Sequence, residues 1–177
     1  TPVLHEILTT LPATLWLAIV SLFFIVIISL LLSFLCVFTQ DTWVDKVIRG
    51  IVFIFTAIPN YWLGLLLIWA LAVKLDLFPV SGMMTYKSVV LPALTLSLGY
   101  IGTYIRLIRG TMLHQLQLPY VFYARARGLP ENIILRKHVL PNSLHTSLIA
   151  IGMSIPKLIA GTVVIENIFA WPGIGRL

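Results

Sequence analysis

Charge is what this sequence has least of. Only 10% of its 177 residues are Asp, Glu, Lys or Arg, while 59% are hydrophobic; a soluble domain carries about 25% charged residues. A chain so poor in charge cannot cover its own surface in water, which leaves lipid as its solvent. Acid is scarcest: six Asp+Glu stand against twelve Lys+Arg, a formal net charge of +6. A basic excess can signal nucleic acid, but that needs a solvated basic face, and little of this chain is solvated. No nucleic-acid partner is expected. The single cysteine, Cys36, lies in an apolar run and excludes an intrachain disulfide. The glycines never form the G-x-x-x-x-G-K-S/T phosphate loop, so no nucleotide site is expected. There is no initiator Met and no signal-peptide pattern at Thr1-Pro2, and the chain stops at "WPGIGRL"; it is read as an excerpt of a longer membrane protein.

What is present is apolar length. A bilayer crossing needs about 20 residues, and four runs qualify as candidates: 13–38, 50–73, 88–105 and about 143–166. The third is short, and the fourth contains Lys157. Between them, 39–50 holds two basic residues, 74–87 holds two and 106–142 holds six. Four alternating spans put 39–50 and 106–142 on one side, eight basic residues against two. The positive-inside bias makes that side the cytoplasm. Residues 1–10, the 74–87 loop and the "AWPGIGRL" end then face outward.

The basic stretch "YARARGLPENIILRKHVLPN" (123–142) is punctuated by proline. Pro119 fits the first turn of a helix, where its missing N–H is harmless. Gly128 can close that helix in the left-handed conformation. Pro130 starts a second helix, expected to end before Pro141. Its Glu131 at the start and Arg136, Lys137 and His138 at the end match the helix dipole. Two short helices with a break at Gly128-Leu129 are expected. One use is docking in a partner's groove, with Tyr120, Val121, Phe122 and Leu129 as anchors and Arg125 and Arg127 orienting the approach. The other is an interfacial helix on anionic headgroups. The residues alone leave both open.

The stretch also resembles the EAA loop of ABC importer permeases, E-A-A-x-x-x-G, nine residues, then I-x-L-P. With the glycine on Gly128, the second alanine falls on Ala124 and the closing pair on Leu140-Pro141, spacing kept. The Glu, first Ala and Ile positions are Phe122, Tyr123 and His138, which depart from the pattern. "ARARGL" is similar to the dipeptide/oligopeptide/nickel branch, as are "LPATLWLA", "IPNYWLGLLL", "LPALTLSLGY", "IRLIRGTM" and "VVIENIFAWPGIGRL", in order along the chain.

That resemblance implies an all-α, polytopic membrane protein with the type I ABC importer permease fold. The chain would be a single transmembrane domain over 1–177, lacking the family's first and last helices, with about four crossings and a cytoplasmic coupling helix in loop 111–142. Tyr123, Ala124, Arg125, Arg127, Gly128, Leu129, Leu140 and Pro141 are the positions it assigns to ATPase coupling. It implies a bacterial inner-membrane, multi-pass subunit with no catalytic residue and no cofactor of its own. Its partners would be a second permease subunit, two cytoplasmic ABC ATPase subunits carrying ATP and Mg, an extracytoplasmic solute-binding protein and membrane lipid. The cargo implied is nickel or a metal chelate, towards which "ENIFAWPGIGR" leans, with di- and oligopeptides as the alternative. A channel or membrane enzyme using the loop to touch lipid is the rival of another class.

Other residues have two readings each. Lys157 lines the translocation path or snorkels from a shallow position. Glu166 contacts the outer mouth or forms a structural ion pair. His145 is a metal contact on the path or a hydrogen-bonded packing residue. His5, His114 and His138 form no ligand spacing with it, and no resident metal site is expected. Met83-Met84 is a soft-metal contact or ordinary packing. Pro59 and Pro156 are expected to kink the second and fourth spans, and Trp62, Trp69 and Trp171 to mark interfaces.

Overall fold

The computed structural model describes residues 2–177, and among them there is helix and no strand. Helix α1 (Pro2–Phe38) begins well before the expected start at Ala13, with Pro12 accommodated inside it. At 1.5 Å per residue its 37 residues reach about 55 Å, well beyond a hydrocarbon core of about 30 Å. The helix is two-faced in a way composition hides. Its exposed side is wholly large and apolar between Leu15 and Phe38: Leu15, Trp16, Ile19, Phe23, Ile27, Leu31 and Leu35. The buried side runs Thr14, Leu17, Ala18, Ser21, Ile25, Ser29, Ser33 and Cys36. Small residues at helical spacing let backbones approach closely. The Ser33 hydroxyl accordingly crosses to the Ile105 carbonyl at 3.3 Å.

The second crossing is not the single run expected over 50–73. Helix α2 (Trp43–Ala57) and helix α3 (Asn60–Leu67), the latter continued by a wide π-type turn over Ile68–Lys74, meet at an angle of 106°. Pro59 causes the elbow. The residue before a proline is driven from helical to extended backbone, and Ile58 sits at φ −80°, ψ 128°.

Helix α4 (Val90–Gln115) follows a short 3₁₀ turn over Tyr86–Val89 and is the centre of the molecule. It packs along α1, α2, α3 and the last two long helices. The expected span ended at Ile105; the helix continues for almost three turns more and takes Arg106 and Arg109 with it. The basic connection therefore starts after Gln115 rather than at 106.

Helix α5 (Pro119–Ala126) starts at Pro119 as expected, and the chain turns at Gly128, φ +79°. The next helix does not stop before Pro141. A first turn, α6 (Glu131–Ile133), widens into a π-type turn over Ile134–Val139 and runs directly into α7 (Leu140–Met153). Widening the ladder just before a proline relieves the clash of its ring with the carbonyl four residues back. Asn142 Nδ2 meanwhile donates to the His138 carbonyl at 2.8 Å. The chain bends by 52° at Ser154 into α8 (Ile155–Ile168), with Pro156 in the first turn of α8 rather than at the bend itself.

At the outward end, residues 169–177 fold back over α1. The Gly82 amide of the 75–85 loop donates to the Phe169 carbonyl at 2.9 Å, tying the two outer segments together. The basic residues of α2, α4 and α5 gather at the opposite end, which agrees with a cytoplasmic assignment.

Candidate coupling segment and translocation groove

The segment from Pro119 to Val139 is a folded hairpin of helices. Val121 and Ala124 face inward, into the same apolar cluster as Ile134, Leu135 and Val139. Phe122, Tyr123, Arg125, Arg127 and Leu129 face outward, Leu140 is half-buried and Pro141 exposed. Val121 is thus no surface anchor, and Tyr120 is half-buried with its hydroxyl donating to Gln115 Oε1 at 2.8 Å. The exposed aromatic pair is Phe122 and Tyr123, edge to face with centroids 6.2 Å apart.

Gly128 sits where the two helices part. A Cβ there would meet nothing within 4 Å, so glycine is required by its positive φ and not by space. Arg125 spans the break: its Nε donates to Glu131 Oε1 at 2.6 Å and its Nη2 to Oε2 at 3.3 Å. This fork-on-carboxylate contact holds the angle between α5 and α6, and the Glu131 carboxylate pushes the Arg125 pKa up. Arg125 is therefore committed within the segment, while Arg127 has no ion-pair partner among the described residues.

Above this segment α4 leaves one face uncovered, and that face differs from the exposed side of α1. It carries Thr103, Arg106, Gly110 and His114 at helical spacing. A lipid-facing side is apolar, whereas polar residues within a span face a partner or a water-filled cavity. Two cavities open along it. One of about 340 Å³ lies against α2, lined by Arg49, Phe53, Thr56, Arg106, Arg109 and Gly110 among others. One of about 520 Å³ lies against α7 and includes Arg106, Gly110, His114 and Thr146. Arg106 and Gly110 line both, so the two cavities adjoin along the exposed face of α4, between α2 and α7, and are treated together as one groove.

The outward end of this groove is closed by the elbow. A Cβ on Gly102 would run into Thr56 Cγ2, and one on Gly99 into Asn60 Oδ1. Only glycine at these positions lets α2 and α3 lie against α4. At the basic end Asp45 is fully buried and accepts from Arg109 Nη2 at 3.0 Å and Arg49 Nη2 at 3.2 Å. That trio fixes the start of α2 to the end of α4. Sequence reasoning passed over Asp45 and Arg106 because both were assigned to connections. Extending the 3.6-residue wheel from Gly99 through His114 would have shown the polar face.

The three expected path residues fall in different places. His145 is exposed on α7, next to the groove-lining Thr146. Lys157 is exposed on α8, its carbonyl accepting from the Tyr100 hydroxyl at 3.0 Å. Glu166 is fully buried at the outward end of the chain's own fold. Its Oε1 accepts from the Thr14 hydroxyl at 2.6 Å and its Oε2 from the Gly175 amide at 2.7 Å. The Ile174 amide donates to Thr14 Oγ1 at 2.9 Å, and Trp171 Nε1 to the Ala13 carbonyl at 2.9 Å. Gly173 is pressed against the carboxylate so closely that a Cβ would overlap it. Among the described residues Glu166 has no cationic partner; hydroxyl and amide donors hold it. Met83 and Met84 border a small outer cavity with Trp16 and Trp171, and no His, Cys, Asp or Glu cluster of metal-binding size occurs among the described residues.

Residues 25–177 match the profile of the family described as binding-protein-dependent transport system inner membrane component. The chain belongs to that family. The chain is 39% identical over 176 residues to the metal-staphylopine import system permease protein CntB of Staphylococcus aureus, covering 99% of this chain and 56% of the relative. It is 38% identical over 187 residues to the oligopeptide transport system permease protein AppB of Bacillus subtilis, covering 100% of this chain and 59% of AppB. The chain thus spans little more than half the length of these relatives. Its fold matches an inward-facing conformation of the MetNI methionine ABC transporter with a TM-score of 0.81 at 21% identity, over 99% of this chain and 80% of the other. The all-α ABC importer permease fold expected from the sequence is the one observed.

Proposed function

We propose that this chain is the central part of a permease subunit in an ATP-driven importer, and that its cargo is nickel or a metal chelate. The observation that carries the reading is the conjunction on one helix: α4 floors a groove that runs from Gly102 to its polar, basic end at His114, and it leads within three residues into the exposed coupling segment. Its α1 side, by contrast, suits lipid. The likeness to a metal-chelate permease supports the cargo. The comparable likeness to an oligopeptide permease supports peptide import by the same architecture as the second reading.

In this reading the groove is this chain's share of the translocation path, completed by a second permease subunit. His145 borders it, Lys157 flanks it from α8, and Glu166 fixes the outer mouth from within. Two cytoplasmic ATPase subunits hold ATP and Mg, and each coupling segment seats in a cleft of one of them. Phe122, Tyr123 and Leu129 supply the apolar contacts there, and Arg127 the charge. Closure of the ATPases on ATP draws the segments together and opens the path outward; release of ADP and phosphate reverses it. An extracytoplasmic binding protein delivers the solute. The permease itself performs no covalent chemistry.

The test is uptake of labelled nickel, free and chelated, by cells lacking the permease or restored with it, competed with excess di- and oligopeptides. Restored nickel uptake that peptides leave unchanged establishes a metal importer. Restored peptide uptake without nickel dependence establishes the second reading. Unchanged transport of either kind, with no ATPase co-purifying, points to the channel or membrane-enzyme class instead.

A further inference from the structure

The groove is unusual in its charge. Its lining includes Arg49, Arg106 and Arg109 on the α2 side and Arg106 and His114 on the α7 side. Among the described residues the only carboxylate in contact with any of them is Asp45, whose Oδ2 is shared by Arg49 and Arg109. Three guanidinium groups against one carboxylate leave two positive charges. Arg106 is the one with no hydrogen-bond or ion-pair partner among the described residues, and it is exposed on the groove floor.

The whole acidic inventory can be placed. The chain has six Asp and Glu. Glu6 is on the outward turns of α1, Asp76 in the outer loop, and Glu166 enclosed by Thr14 and Gly175. Asp41 is in the turn between α1 and α2, and Glu131 is bound to Arg125. None of these lines either cavity. Arg106 lies about 30 Å along the helix from Tyr86, one hydrocarbon thickness, so it stands at the inner mouth. In a cleft with low-dielectric walls, charge of one sign focuses the field on whatever passes.

We propose that this groove is a filter for negative charge, with Arg106 as its specificity-determining residue, and that the solute presents a carboxylate to it rather than crossing as a bare divalent cation. A dication would meet a mouth with a surplus of positive charge and no acidic ligand. A carboxylate would meet a guanidinium able to hold it by two parallel N–H donors. The carboxylate belongs to a chelator wrapped round a metal or to the C-terminus of a peptide. The inference rests on the reading of the groove as a water-filled path, and the experiment separates the two.

The complete importer, with its other subunits free of cysteine and Cys36 replaced by serine, is given one thiol by Gly110→Cys. Gly110 lines both cavities, and a Cβ there meets nothing within 4 Å. Thr103→Cys, on the other side of Arg106, is the second variant. Each is reacted with a negatively charged and a positively charged methanethiosulfonate of similar size, the rates being normalised to a free thiol. The anionic reagent is expected to react about tenfold faster, the lower end of what focused fields produce, and Arg106→Gln is expected to remove most of that ratio. Equal normalised rates overturn the charge filter while leaving a water-filled groove. No reaction with either reagent at both positions overturns the path reading and the filter with it. Uptake of nickel–citrate and of labelled dialanine, each compared in Arg106 and Arg106→Gln importers, then separates chelator from peptide. Loss with one assigns the carboxylate, and unchanged uptake of whichever is transported overturns the filter.

Discussion

Replacing Gly128 by alanine isolates the contribution of one backbone angle to the coupling proposed for this segment. Gly128 holds φ +79°, its amide donates to the Arg125 carbonyl at 2.9 Å, and the next amide, of Leu129, reaches the Ala124 carbonyl at 3.2 Å. A Cβ would collide with nothing, so the cost of alanine is the left-handed backbone alone, about 1–2 kcal/mol. That is small against the stability of the whole membrane domain, and the subunit should reach the membrane in normal amount. Within the segment it lowers the equilibrium constant for the native turn by a factor of about 5–30. Transport should fall by up to that factor. Asparagine tolerates the left-handed region better than alanine, so Gly128→Asn should retain several times more activity than Gly128→Ala. Gly50→Ala is the control: it is helical, has open space at its Cβ, and should transport normally. The assay is uptake by the complete importer per unit of membrane-inserted subunit. Wild-type uptake by Gly128→Ala, or equal loss for alanine and asparagine, would refute the argument from φ.

The outer knot gives a second prediction. Thr14→Val keeps the shape but removes the donor to Glu166 and the acceptor for Ile174, leaving a buried carboxylate one bond short; about 2–3 kcal/mol should be lost, read as a lower unfolding temperature of the purified importer, and no loss would mean that the carboxylate reaches water. Gly102→Val forces its Cβ against Thr56 and Val52 of α2. About 1–3 kcal/mol of overpacking is expected, with the elbow displaced from α4, so a cysteine at Thr56 should label faster from water than in the parent. Asp45→Asn leaves Arg109 facing a neutral amide in a largely buried site. About 2–3 kcal/mol should be lost, less than for a wholly buried pair because Arg49 is half-exposed, and thermal unfolding matching wild type would remove the trio's structural role.

The crossings were legible because composition alone demands lipid, and the hairpin of α5 and α6 because proline and glycine punctuate it. What escaped was geometry that depends on neighbours. A charge-free run from Arg49 to Lys74 reads as one span kinked at Pro59; that the kink is a 106° elbow, with Thr56 and Asn60 packed on Gly102 and Gly99, is visible only in the fold. Arginines conventionally end a span, which places the end of the third span at Ile105; Asp45, 64 residues away on α2, lets Arg109 remain inside the packed helix. Pro141 reads as a stop, yet a widened turn before it carries the helix on to Met153. The motif assigns Ala124 to coupling, where a small side chain lets a helix lie close in a partner's groove. It is small first for this chain's own sake, since it is buried within the hairpin.

That burial bears on how motion passes through the subunit. The link from α4 to α5 is only residues 116–118, and each of its amides is bonded back into the preceding helix: Leu116 to Met112 at 3.0 Å, Gln117 to His114 at 3.1 Å, Leu118 to Gln115 at 3.1 Å. On the other side, α6 enters α7 with no interruption beyond the π-type turn. The segment is therefore joined without slack to α4, the groove's floor, and to α7, one of its walls. A force on α5 displaces both together, because a packed interior transmits strain rather than absorbing it. The wall that is not so joined is α2, which meets α4 through the Asp45 trio and the contact of Thr56 with Gly102. Relative movement across the groove must then be accommodated at the α2–α4 contact. This is where the close approach of Thr56 to Gly102 leaves no room for a larger residue.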